Sequence, residues 1–232
     1  MPSAPEPVPA EFTYRSASSS EEYIPLPSLG DPASCALSIV VPAYNETPRL
    51  VPMLDEALEH LHSLKPRRSF EIIIVDDGSS DGTAELALKY ACSHPEDEIR
   101  VVRLETNRMK GGAVKHGVMH SRGERILFVD ADGATKFSDL DLLWKEMDAL
   151  EKENESAVGV VVGSRAHMVR SESVVKVRVF STIWRFSLIP FRQRSAIRNF
   201  LMYGFHFTLR VLGVGWIQDT QCGFKVRPPF RL

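Results

Sequence analysis

Two aspartates separated by one alanine, Asp130-Ala131-Asp132, close the apolar run Ile126-Leu127-Phe128-Val129. A hard divalent cation takes one or two carboxylates and completes its shell with water and substrate phosphate oxygens, and that is the chemistry this pair offers. A plain solvated loop has the same spacing; Gly133, which permits close backbone approach, gives the metal reading its support. A second acidic string, Asp76-Asp77-Gly78-Ser79-Ser80-Asp81-Gly82, places two carboxylates side by side. Like charges there repel unless one receives hydrogen bonds, for instance from a ribose or a base edge, whereas Ser79 to Thr83 read simply as a turn and helix cap. Pro42-Ala43-Tyr44-Asn45-Glu46 offers either a loop or an aromatic ring on which a nucleobase stacks. In Asn107-Arg108-Met109-Lys110-Gly111-Gly112-Ala113, Lys110 and Gly111 sit where a helix begins, which suits a phosphate or merely a glycine-initiated helix with a surface lysine. The spacing matches neither a Walker A loop nor Gly-x-Gly-x-x-Gly, which argues against kinase-like and NAD-binding readings.

These clusters need a frame. Strands are expected at 37–41, 71–75, 99–104, 125–129 and 159–162, and amphipathic helices at about 50–64, 84–91, 112–121 and 137–152. Strands alternating with single helices imply βαβ units and an α/β fold, a Rossmann-like, mostly parallel sheet flanked by helices. Ligands of such sheets bind beyond the carboxyl ends of the strands. The clusters at 42–46, 76–79 and 130–132 each follow a strand, so all three are expected in one cleft.

The formal charge of -2 conceals an uneven distribution. Residues 1–36 hold five acids against one base, 37–163 hold 23 against 15, and 164–232 hold two against twelve. Asymmetry of this size points to separate jobs along the chain. The first segment, rich in Pro, Ser and Glu, reads as a disordered arm. Residues 37–165 read as the ligand-binding half. Residues 166–232, basic, aromatic and apolar, read as a part facing an acceptor or a membrane surface, expected to be truncated and to carry an insert near 177–193. Nucleic acid is not an expected partner, because the acidic remainder would repel phosphates. Three scattered cysteines and seven histidines without ligand spacing indicate neither a disulfide framework nor a zinc site. No run of eighteen apolar residues and no basic start leading into an apolar core occur, so neither a membrane span nor a signal peptide is expected.

Taken in order, the motifs at 42–46, 76–79, 110–112 and 130–132, followed by Gly163-Ser164-Arg165, resemble the GT-A glycosyltransferases of family 2. More specific strings, Ala131 to Phe137, Gly163 to His167, Leu201 to Phe207 and Asp219 to Lys225, are similar to the dolichyl-phosphate β-glucosyltransferases within it. The resemblance implies inverting transfer of glucose from UDP-glucose to dolichyl phosphate at the cytosolic face of the endoplasmic reticulum membrane, in the service of protein N-glycosylation. It implies uridine contacts at Pro42, Tyr44, Glu46, Asp76 and Asp77, with Mg²⁺ or Mn²⁺ held by Asp130 and Asp132. Arg165, Arg198 and Lys225 match basic positions facing the acceptor phosphate, and Asp219 is a base, an orienting group or a structural cap. Against the family pattern, this sequence lacks a hydrophobic start and ends where the pattern continues. A GDP-mannose-dependent polyprenyl-phosphate transferase and a catalytically silent nucleotide-sugar-binding module remain open alternatives.

Overall fold

The structure, a computed structural model, describes residues 10–19, 22–28, 30–153, 160–163 and 225–227. In chain order these form β1 (Thr13–Tyr14), β2 (Ile24–Pro25), β3 (Cys35–Ala43), α1 (Thr47–Ser63), β4 (Phe70–Asp76), α2 (Thr83–Ser93) and β5 (Ile99–Arg103). They continue with α3 (Met109–Met119), β6 (Gly123–Phe128), α4 (Leu140–Glu153), β7 (Val161–Val162) and β8 (Lys225–Arg227). One sheet runs in the order β5-β4-β3-β6-β8-β7. The first four strands are mutually parallel, and β8 lies antiparallel between β6 and β7. This is the expected α/β sheet with one reversed strand.

Ile39, Val40 and Val41 form an unbroken apolar run because both sheet faces are covered. Leu37, Ile39 and Val41 join Leu50, Leu54, Leu58 and Leu61 of α1 and Leu143 and Met147 of α4 in one cluster, whereas Val40, Ile73 and Val75 meet Ala113 on the opposite face. On that face α3 approaches closely: a Cβ on Gly117 would stand 2.5 Å from Val40 Cγ1. Helix α1 starts at Thr47, three residues before its first buried leucine, because Pro48 supplies a φ already suited to a first turn. Strand β3 likewise continues through Pro42 to Ala43. Val40 accepts from Val129 N in the last β3–β6 bond, and strand alternation turns Pro42 to that same side, where no further donor is needed.

The N-terminal segment differs from the expectation of a disordered arm. Residues 10–19 and 22–28 wrap the β5 edge: Arg15 and Val101 exchange both backbone hydrogen bonds, at 3.0 and 2.8 Å, and Leu26 N donates to Phe12 O. Tyr14 and Leu26 pack against the Val40–Ile73 cluster, and Tyr14 lies 5.2 Å from the buried Arg100 guanidinium. Few apolar side chains suffice because the exposed sheet edge supplies backbone partners.

Candidate active site

The loops leaving β3 and β4 are laced together. Asn45 N donates to Ser79 Oγ (2.9 Å), Glu46 N to Thr83 Oγ1 (3.0 Å), and Ser80 N to Asn45 Oδ1 (3.0 Å). Asp81, between the starts of α1 and α2, accepts from Thr83 Oγ1 and Thr47 Oγ1, and these bonds, that of Thr83 foremost, hold its carboxyl down to about 2. The turn-and-cap reading of Ser79 to Thr83 is thus right, with the added feature that the caps reach across to the neighbouring loop. Asn45 adopts φ 55°, a left-handed conformation that asparagine tolerates better than most residues.

Asp76 and Asp77 part company. Asp76 is fully buried beneath the cleft floor and accepts from Ser79 N at 3.3 Å; burial pushes its carboxyl upward. It does not reach the cleft, which corrects its assignment to the ligand-contacting set. Asp77 turns toward the cleft, held by Arg108 N at 2.7 Å. Between them and that turn stands Gly78, at φ 74°, where a Cβ would lie 3.2 Å from Asn107 N. The Asp77 and Asn107 loops can therefore meet only across a glycine.

Helix α3 begins at Met109, so both expected glycines fall within its first turn. Met109 takes φ 63° and is 75 % exposed, with Asn107 Oδ1 accepting from its amide at 2.9 Å. Lys110 extends from this turn to Asp130, Nζ to Oδ1 at 2.6 Å, and lies 5.3 Å from the Phe128 ring. Asp132 is exposed, and its Oδ1 accepts from Ala134 N across Gly133, at φ 66°.

Pro42, Tyr44, Glu46, Asp77, Lys110, Asp130 and Asp132 all line one open cleft of about 360 Å³ at the carboxyl ends of β3, β4 and β6. The convergence expected of the strand-end clusters is therefore present. Asn107 and Met109 also line the cleft; the sequence signalled them only as parts of the Lys110 turn. Gly111 does not line it, and a Cβ there would meet nothing within 4 Å. Lys225 pairs by its backbone with Phe128, two residues before Asp130, which puts β8 beside the cleft. Arg165, Arg198, Asp219 and the 177–193 insert lie outside the described residues.

Charge decides what this cleft accepts. Glu46 is paired with Arg49 at 2.7 Å, leaving Asp77, Asp130 and Asp132, among the described lining residues, against the one ammonium of Lys110. An anionic phosphate ligand would be repelled there unless a cation entered with it. Asp130 Oδ1 is buried and lacks an aligned hydrogen bond despite its nearness to Lys110, which fits a carboxylate kept for a cation. Among the described residues no set of three or more ligating side chains assembles. Asp130 and Asp132 would thus hold a hard cation only together with phosphate oxygens and water, as Mg²⁺-type sites do.

Comparison with known proteins places this fold and sequence in a family. The chain is 46 % identical over 204 residues to a dolichyl-phosphate β-glucosyltransferase of Mus musculus, covering 87 % of this chain and 57 % of that one. It is 42 % identical over 214 residues to the Saccharomyces cerevisiae protein of that name, covering 87 % and 58 %. The chain thus spans somewhat over half the length of these curated relatives. A crystal structure of glucosyl-3-phosphoglycerate synthase from Mycobacterium tuberculosis, in complex with Mn²⁺ and UDP-glucose, superposes with a TM-score of 0.51 at 14 % identity, over 84 % of this chain and 57 % of that one. At that identity the likeness speaks for the GT-A fold. The profile described as "Glycosyl transferase family 2" matches residues 38–218. Since that match runs from within β3 past β7 and takes in every residue placed in the cleft, the chain belongs to glycosyltransferase family 2.

Proposed function

We propose that this chain provides the donor-binding half, and part of the acceptor half, of a metal-dependent hexosyltransferase. It transfers glucose from UDP-glucose to dolichyl phosphate with inversion, giving dolichyl β-glucosyl phosphate for protein N-glycosylation. The observation that carries the proposal is the meeting of Asp77, Asp130, Asp132 and Lys110 in one cleft. The names of the relatives point to the acceptor and the sugar, and the UDP-glucose complex of the Mycobacterium tuberculosis neighbour is consistent with the donor.

In this reading Tyr44, half-exposed at the rim, offers its ring to the uracil, and Asp77, oriented by Arg108 N, accepts a hydrogen bond from the nucleoside. Lys110 and the start of α3 face the diphosphate, as helix N-termini do. Asp130 and Asp132 would hold Mg²⁺ or Mn²⁺, which supplies positive charge opposite the departing UDP. The acceptor is a phosphate monoester, with a second pKa near 6, so one of its oxygens bonds to the anomeric carbon as the bond to UDP breaks, without a strong base. Basic residues suit such an acceptor, and Arg165, Arg198 and Lys225 are assigned to it, with Asp219 as an orienting group. A lipid acceptor calls for a membrane surface, and the family resemblance leads us to assign the enzyme to the cytosolic face of the endoplasmic reticulum membrane. Among the described residues no helix is long and apolar enough to cross a membrane, and the basic 164–232 segment is proposed to meet its surface.

The test is transfer of radiolabelled glucose from UDP-glucose to dolichyl phosphate in detergent micelles, with Mg²⁺ or Mn²⁺, by the wild-type chain and Asp132→Asn. Product from the wild type alone is expected. Equal turnover by the variant would remove Asp132 from the site, and UDP binding without transfer would favour the silent binding module.

A further inference from the structure

The turn that carries the donor-facing groups is strained. Met109, at φ 63°, is unbranched and apolar, and a left-handed conformation is unfavourable for such a residue because its Cβ crowds the following carbonyl oxygen. Backbone of this kind persists only where the surroundings over-determine it. The restraints on its outer side come from the N-terminal arm. Glu11, in the short helical turn Ala10–Phe12, is ion-paired to Arg108 Nη2 at 2.5 Å, with only 14 % of its side chain exposed. Phe12 stacks at a tilt on His116, ring centroids 6.3 Å apart, and His120 Nδ1 donates to Pro27 O at 2.7 Å. The same arm is bolted to the sheet through the Arg15–Val101 pair. Arg108 thus sits between the arm, by its side chain, and Asp77, by its backbone N–H.

We propose that residues 10–19 and 22–27 act as a strap for the donor site and that Glu11 is a positioning residue: by holding Arg108 it fixes the amide that orients Asp77 and the turn that presents Lys110. The functional half of this inference rests on the donor reading given above; the structural half does not. The strap lies outside the family-matched residues 38–218 and contributes no side chain to the cleft lining.

The experiment compares the full chain with Glu11→Gln, Arg108→Gln and the double variant by peptide-resolved hydrogen exchange, and by donor KM and kcat with UDP-glucose and Mn²⁺. We expect Glu11→Gln to speed exchange over 107–112 and to raise donor KM about two- to fivefold, the range of a partly exposed ion pair. Unchanged kcat at saturating donor and unchanged exchange in β3 and α1 should accompany it. Arg108→Gln should do the same, and the double variant should be no worse than either single one, because both remove one interaction. Unaltered exchange over 107–112 in Glu11→Gln overturns the strap, as does acceleration spread evenly over the chain, and as do additive effects of the two substitutions. If the wild type binds no UDP, the donor reading fails, and the exchange data still decide the strap.

Discussion

At the amino ends of β3 to β6, Glu71 is wholly buried and saturated: Oε1 accepts from Ser38 Oγ and Arg122 N, and Oε2 from Arg100 Nη2 and Arg122 Nε. Ser38 Oγ in turn accepts from Gly123 N at 2.7 Å, so the cluster spans β3, β4, β5 and the entry to β6. Burial lowers the Arg100 guanidinium and Glu71 opposes that fall, as expected of a pair that must be charged together. At the carboxyl ends of the same strands, Asp77, Asp130 and Asp132 face an open cleft with one lysine among them. The residue types are alike at both ends. The difference lies in partners: four donors from β3, β5 and the loop before β6 meet the amino-end carboxylate, whereas those at the carboxyl end border an open cleft, where the proposed ligand would meet them. Among the described residues the carboxyl-end carboxylates carry only part of such a partner set: Lys110 on Asp130, and single backbone amides on Asp77 and Asp132.

That contrast can be broken by substitution. Glu71→Ala strands Arg100 in the interior, and loss of one member of a buried pair costs about 3–5 kcal/mol. For a chain of this size the melting temperature should fall by roughly 10 °C, with transfer per folded molecule unchanged; thermal denaturation and an assay well below the transition measure both. Asp130→Asn should do the reverse. It should lower glucose transfer by about 100-fold or more, on the scale of removing one group that stabilises charge in a transition state, while denaturation stays close to wild type. Activity loss from Glu71→Ala in still-folded protein would erase the distinction between the two ends. Lys110→Met sharpens the picture within the site: UDP should bind about tenfold more weakly, the worth of one charge-assisted hydrogen bond, as calorimetry would show.

Much of this was legible in the residues. The apolar runs Leu37–Val41 and Glu71–Val75 and the leucine spacing of α1 announced the elements, because both faces of the sheet are buried and the pattern has little freedom. Six of the expected positions in the cleft belong to the strand-end clusters, and a seventh, Lys110, was marked by its place at a helix start. Asp76 and Asp77 could not be told apart, since only the turn at Gly78 decides which carboxylate points inward. The arm was hidden for another reason. Its anchors are backbone bonds to Val101, the Tyr14–Arg100 contact and the Glu11–Arg108 pair, and none of these raises local hydrophobicity. Asn107 and Met109 belong to the cleft through a backbone conformation rather than through a motif.

The arm yields the smallest predicted effect. His116 is buried against Phe12 and His120, with Glu11 and Arg108 nearby, and burial lowers its imidazole below the ordinary histidine range while His120 adds to the shift. A depressed histidine contributes stability that is complete above about pH 6.5 and is lost as pH falls toward the folded-state value. Acidification from pH 7.5 to 5.5 should therefore lower the melting temperature by about 1–2 °C more in wild type than in His116→Phe. An equal fall in both would show that the arm contact does not titrate.

Calorimetric titration of UDP with Mn²⁺ or with EDTA tests most directly whether the strand-end carboxylates form a nucleotide site completed by a cation. Binding to the wild type is expected with Mn²⁺, with little or none in EDTA and little or none to Asp132→Asn under either condition. Equal UDP affinity with EDTA, or in Asp132→Asn, would contradict a site of that kind.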